Sequence, residues 1–246
     1  MTYFQFHLLF NLPLLACLIL LGASSWVVPE ITGTALLVLV PVIVFTTPWD
    51  NYAARWGIWG FSKGQYWKKV GYLPVEEYLF FIIQSLQAMA LTVLVVPWLG
   101  GSGMGTAIGD RDLRLISGGA VWLMLVAAGW KLGPWFRQLT GGKWHYTGHL
   151  LYWFLPVIAL QWWIAPDILL PQAEVLVVVT VILGTYLSWA DWMAIERNIW
   201  FFDHAQTTGV RLGEKMPWEE AAFFYLTSLL VSQSFLLLLP EFWRTG

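Results

Sequence analysis

Long apolar runs alternate along the chain with short segments rich in Gly, Pro and charge. Seven runs stand out, at 3–28, 32–49, 76–97, 115–136, 148–165, 173–192 and 218–240. Each approaches the roughly 20 apolar residues that a helix needs to cross the hydrocarbon core of a bilayer. The runs are continuous rather than alternating, which excludes the period-two pattern of a membrane β-barrel. Pro29, the glycines of "GGSGMG" at 100–105, "TGG" at 140–142, and Pro166 with Pro171 fall between runs, where turns belong. No Lys or Arg precedes the first run, so it lacks the basic start of a signal peptide and is expected to remain as a helix. The pattern predicts an all-α integral membrane protein with seven transmembrane helices.

The polar punctuation recurs. "HLLFNLP" (7–13) matches "HLLYWFLP" (149–156), Pro29 matches Pro171, and "DNYAARWGIWGF" (50–61) matches "DWMAIERNIWFF" (191–202). "PVEEYLFF" (74–81) then matches "PWEEAAFF" (217–224), and Ser85 matches Ser228, with an offset that stays between 141 and 143. This order predicts a first three-helix repeat over 1–98, a loop plus linker helix over 99–142, and a second three-helix repeat over 143–246. Three spans plus one linker span return the chain to its starting side, so the two repeats run parallel, related by an axis along the membrane normal. Both P-x-E-E segments then reach the same membrane face.

Composition agrees with the pattern. Of 246 residues, 58 % are hydrophobic and 11 % are charged, against about 25 % charged in an average soluble domain. The formal net charge of −2 leaves no basic footprint for nucleic acid. Cys17 is the one cysteine, which rules out an internal disulfide. Positive charge orients the chain: Arg55, Lys63, Lys68, Lys69, Lys131, Arg137, Lys143, Arg197, Arg211 and Lys215 share the side of the N-terminus, whereas Arg111, Arg114 and Arg244 lie opposite. The positive-inside rule therefore expects a cytoplasmic N-terminus in the cytoplasmic membrane.

The candidate chemistry is acidic. On its own, Pro-x-Glu-Glu reads as a helix N-terminus, with Pro in the first turn and acids facing the macrodipole. Three features point further. The acids are paired in both halves, as Glu76 with Glu77 and Glu219 with Glu220. Phe80, Phe81, Phe223 and Phe224 follow within a turn. Gln84, Ser85, Gln87, Ser228, Ser232 and Gln233 continue inside the same helices, and polar groups at membrane depth usually face a bundle interior or cavity. Adjacent helical residues point about 100° apart, so one glutamate of each pair can face a cavity while its neighbour meets a cation such as Arg55 or Arg197. Asp50 and Asp191 close the preceding helices, either as solvated ends or as second carboxylates facing the glutamates. Trp59 and Trp200 read as interfacial belt residues or as ring faces for a cation. His145 and His149 are too few for a metal site, and the glycines at 100–105 do not form a dinucleotide fingerprint.

At these residues the chain resembles the membrane-integral lycopene cyclases, the type made of two small subunits in some bacteria and fused into one chain elsewhere. The doubled P-x-E-E with Phe-Phe carries the resemblance, which covers nearly the whole sequence in the fused arrangement; bulky Trp218 stands where the first half has Val75. The resemblance implies ionone-type ring formation, most simply β-rings, on lycopene or a related acyclic carotenoid. It also implies a lipid-soluble carotenoid as partner within the bilayer, association with other carotenoid-pathway enzymes, and Glu76, Glu77, Glu219 and Glu220 as essential acids. The chemistry suits the residues: an acid protonates the terminal alkene, the next double bond closes the ring on the cation, and a base removes a proton. Nothing is gained or lost, so no cofactor and no metal is expected. Glu76 or Glu77 with Glu219 or Glu220 supplies acid and base, Asp50 and Asp191 assist, and Trp59, Trp200 and the four phenylalanines line the substrate site. A covalent retinal pigment is excluded by the lack of Lys in the last span. An intramembrane protease of the E-E-x-x-x-R type fails at Phe81 and at the Ala-Phe-Phe stretch. A transporter or a carotenoid- or retinoid-binding membrane protein is the alternative, since transporters also use internal repeats and buried acids.

Overall fold

A computed structural model describes residues 1–100 and 111–240, with the backbone alone at 111–115 and 130. The glycines at 101–105 and Arg244 lie outside the described residues, and the side chains of Arg111 and Arg114 are not described.

Seven long helices carry the described chain: α1 (Tyr3–Leu21), α2 (Pro29–Arg55), α3 (Val75–Leu99), α4 (Arg111–Leu139), α5 (His145–Ile164), α6 (Ala173–Glu196) and α7 (Trp218–Leu238). Thr2 opens α1 with a capping box, and one π-helical turn interrupts that helix at His7–Asn11. The expected run to residue 28 breaks at Gly22, leaving Ala23–Trp26 as a separate short helix. Pro29 sits in the first turn of α2, where its missing N–H costs nothing.

Five of these helices, α1, α2, α3, α6 and α7, are each long and apolar enough to cross a membrane. The chain is thus an α-helical membrane protein. Helix α4 bends by 43° between Gly129 and Lys131. Pro134 lies four residues beyond the break, and a proline ring displaces the carbonyl of residue i−4. Helix α5 carries His145, Thr147, His149 and Gln161 and is not among the five.

Two helices differ from expectation in a way that matters for the site. Helix α2 continues to Arg55 and α6 to Glu196, so Asp50 and Asp191 are not helix ends. Both are interior helical residues, 2 % and 3 % exposed.

The class is not purely helical. The segments that follow α2 and α6 pair through β1 (Trp59–Phe61) and β4 (Trp200–Phe202), antiparallel, with Trp59 opposite Phe202 and Phe61 opposite Trp200. Strand alternation buries Trp59, Phe61, Trp200 and Phe202 on one face and leaves Phe201 exposed. A Cβ on Gly60 would lie 2.7 Å from the Phe201 ring, so a larger residue there must push that ring aside. Two hairpins complete the layer, β2 (Lys69–Val70) with β3 (Leu73–Pro74) and β5 (Arg211–Leu212) with β6 (Met216–Pro217). Gly71 and Gly213 supply positive φ angles of 66° and 71° at their turns. Each hairpin feeds through its proline into α3 or α7, which fixes where the glutamate pairs begin.

A carboxyl chamber joined to an apolar cavity

The β1–β4 ladder roofs a chamber of about 40 Å³ among α1, α2, α3, α5, α6 and α7. Four carboxyl groups line it: Asp50 from α2, Glu77 from α3, Asp191 from α6 and Glu220 from α7. Its walls are rings, among them Trp49, Trp59, Phe80, Trp200, Phe223 and Phe224. No Lys or Arg is among the lining residues. Four carboxyl groups enclosed by rings without a cation cannot all carry charge, because burial and mutual repulsion both oppose it.

Ring donors aim three of the four chamber carboxyl groups. Tyr3 Oη donates to Glu77 Oε2 at 2.8 Å, and Tyr146 Oη donates to Glu220 Oε2. Trp59 Nε1 donates to Asp50 Oδ1 at 2.9 Å, and its counterpart Trp200 lines the chamber with Asp191. The parallel stops there. Asp50 and Glu77 also lie close enough to interact with each other. Asp191 instead leaves Oδ2 without a hydrogen-bond partner.

The other glutamate of each pair is turned to the loops. Glu76 Oε1 accepts from the Trp67 backbone N–H at 2.8 Å. Glu219 Oε1 accepts from the Thr208 N–H at 2.7 Å and from Thr147 Oγ1 at 2.9 Å. Backbone donors of the preceding loop thus take the place expected for Arg55 or Arg197; Arg197 donates to the Met193 carbonyl instead. Neither Glu76 nor Glu219 is among the chamber's lining residues. Of the six expected acids, four come together and two brace the roof. Of the six expected aromatics, Trp59, Phe80, Trp200, Phe223 and Phe224 line the chamber, while Phe81 lines a second cavity.

That second cavity measures about 240 Å³ and lies among α2, α3, α4, α5 and α7. Phe45, Phe81, Trp122, Phe154 and Val231 are among its walls, and Phe223 belongs to both cavities. Phe223 is stacked at 4.9 Å and 8° on Trp49, whose other neighbour in the stack is His149, also at 4.9 Å and 8°. His149 is locked by Trp49 O and Tyr152 Oη, each at 2.9 Å. His145 is held by Tyr52 and Gln206. Both histidines are therefore parts of the scaffold, and no group of three or more metal-ligating side chains occurs among the described residues.

Tyr3, Tyr146 and Trp49 escaped the sequence reading. A signal existed for the tyrosines: they are 143 residues apart, the offset of the glutamate pairs. Trp49 has no such counterpart.

The family model described as lycopene cyclase matches residues 4–95 and 143–238. A lycopene beta-cyclase of Halobacterium salinarum is 33 % identical over 202 residues, covering 82 % of this chain and 80 % of its own. Bifunctional lycopene cyclase/phytoene synthases of Sporisorium reilianum and Blakeslea trispora are 31 % and 28 % identical, each matched over 94 % of this chain. This chain spans 34 % and 38 % of those two longer proteins. No solved structure matches at a significant level.

Proposed function

Since the chain belongs to the lycopene cyclase family, we propose that it is a carotenoid cyclase, and that the carboxyl chamber is where the open end of lycopene or a related acyclic carotenoid is closed into a β-ring. The observation that carries this reading is the gathering of four buried carboxyl groups, without a cation, behind aromatic walls.

The Asp50–Glu77 pair is the acid. Its proton passes to the terminal alkene and leaves a tertiary cation on the adjoining carbon. The neighbouring double bond attacks that carbon, forming the ring bond and moving the cation into the ring. The Asp191–Glu220 pair then removes a ring proton, and the electrons of that C–H bond become the ring double bond. One proton is added and one removed, so the reaction is an isomerisation and needs neither redox cofactor nor metal. Between turnovers the second pair gives its proton to water and the first pair takes one from water, which restores the site. Ring faces of Trp59, Trp200 and Phe223 stabilise the cation without capturing it as water would. Tyr3 and Tyr146 fix the glutamate oxygens.

Glu76 and Glu219 act as braces that hold the roof over the chamber. In this reading the two matching sets of α-helix, ladder strand and hairpin are parallel repeats over 1–98 and 143–246, with α4 as the joint. Helices α4 and α5 cross the membrane with the other five, the N-terminus lies in the cytoplasm, and the chamber sits at the cytoplasmic end. The test is chromatography of pigments from lycopene-making cells that express the chain. A new cyclic carotene supports the cyclase; unchanged lycopene beside a folded membrane protein returns the reading to a transporter or carotenoid-binding protein.

A further inference from the structure

The carboxyl chamber, at about 40 Å³, is far too small to hold a whole polyene. The larger cavity lies beside it. Phe223 lines both, and along α7 the larger cavity's lining runs from Phe223 to Leu238, about 22 Å at 1.5 Å per residue. It is therefore elongated. Two pairs of its polar side chains bond each other: Gln84 Nε2 donates to Thr227 Oγ1 at 2.5 Å, and Gln161 Nε2 donates to Ser234 Oγ at 2.8 Å. No charged side chain lines it.

Helix α4 supplies the thin side of this cavity. Gly118 and Gly119 are both lining residues, and Gly119 is exposed. A Cβ added at Gly119 would meet nothing within 4 Å. The exposed large side chains nearby on the same helix are Ile116, Leu123 and Met124, so the surface around Gly119 is apolar.

We propose that this cavity seats the body of the polyene substrate, that the substrate enters from the bilayer beside Gly119, and that it presents one end past Phe223 to the carboxyl chamber. The occupant is fixed by three properties of the site. It is rod-shaped, because the cavity runs along one helix. It is uncharged at its leading end, because the chamber offers carboxyl groups and no Lys or Arg. It is apolar along its length, because apolar side chains make up most of the cavity's lining. An acyclic isoprenoid polyene meets all three; a phospholipid, led by its charged head group, fails the second. This inference rests on the cyclase reading for the identity of the substrate, while the seat itself is a claim about geometry.

Two variants test it. Gly119→Trp places a ring in the opening and is expected to lower cyclic carotene more than tenfold at an unchanged membrane protein level. Gly33→Trp, at another helical glycine with open space around its Cβ and outside both cavities, controls for an added indole. Independently of activity, Gly119→Cys in a Cys17→Ser background gives one thiol at the opening. Labelling of that thiol by N-ethylmaleimide is expected to slow several-fold in membranes loaded with lycopene. The exposed Cys17 of the unmodified chain is expected to label at the same rate with or without lycopene. Equal labelling at position 119 in both membranes, or wild-type ring formation by Gly119→Trp, would overturn the seat. Protection at 119 in a chain that leaves lycopene uncyclised would uphold the seat and sink the cyclase reading instead.

Discussion

At the scale of single residues, the two members of each glutamate pair make different contacts, and conservative substitution is expected to separate them. Glutamine keeps the shape and the acceptor oxygen of glutamate but cannot deliver a proton. Glu77→Gln and Glu220→Gln are therefore expected to lower ring formation by about 10²- to 10⁴-fold, the usual weight of general acid–base catalysis. Glu76→Gln and Glu219→Gln keep an oxygen for the Trp67 and Thr208 N–H groups and are expected to retain most activity. Alanine at Glu76 or Glu219 leaves those donors unpartnered and is expected to fail through loss of the roof. Carotene yield per amount of membrane protein reads both outcomes; loss with Glu76→Gln as deep as with Glu77→Gln would contradict the division. Tyr3→Phe and Tyr146→Phe each remove one hydrogen bond to a carboxyl group, worth about 1.5–3 kcal/mol when the acceptor is charged. If that aim is used in the transition state, activity falls by about 10- to 100-fold while the protein stays folded.

At the scale of elements, the site depends on a ladder of two three-residue strands. Their pairing joins residues 139 to 143 positions apart and brings Trp59 and Trp200 into one chamber. Such short strands carry no periodic signal, and nothing local in "WGF" or "WFF" names its partner. The helices were legible because each buries or presents a long apolar run. Their ends were not: the apolar run stops near Asp50 while α2 continues to Arg55, because "NYAAR" is helical without being apolar. Asp50 and Asp191 therefore read as rims when they are walls. The glutamate pairs and their phenylalanines were legible through recurrence, but recurrence could not say which glutamate faced inward; the loop N–H groups decide that. Gly60→Leu drives a side chain into the Phe201 ring. It is expected to cost about 1–3 kcal/mol as overpacking does and to lower ring formation, read as a lower melting temperature in detergent together with less cyclic carotene.

At the scale of the whole molecule, aromatic contacts cross between the two halves of the sequence. Tyr3 lies 4.9 Å from Trp200, and Tyr146 lies 5.2 Å from Trp59, measured between ring centres. Each tyrosine thus aims one half's glutamate while packing on the other half's tryptophan, so neither half closes the chamber alone. A chain cut between residues 105 and 106 is expected to be inactive as either fragment and active when both are expressed together; activity from one fragment alone would contradict this interlocking. The central claim is that chamber carboxyl groups deliver a proton to the polyene end, and exchange with heavy water tests it most directly. Membranes holding the protein are given lycopene in D₂O, and the pigments are separated and weighed by mass spectrometry. The account predicts cyclic carotene carrying one deuterium for each ring formed, and none of that product from Glu77→Gln membranes. Rings that form without deuterium, or lycopene left unchanged by the folded wild-type protein, would contradict it.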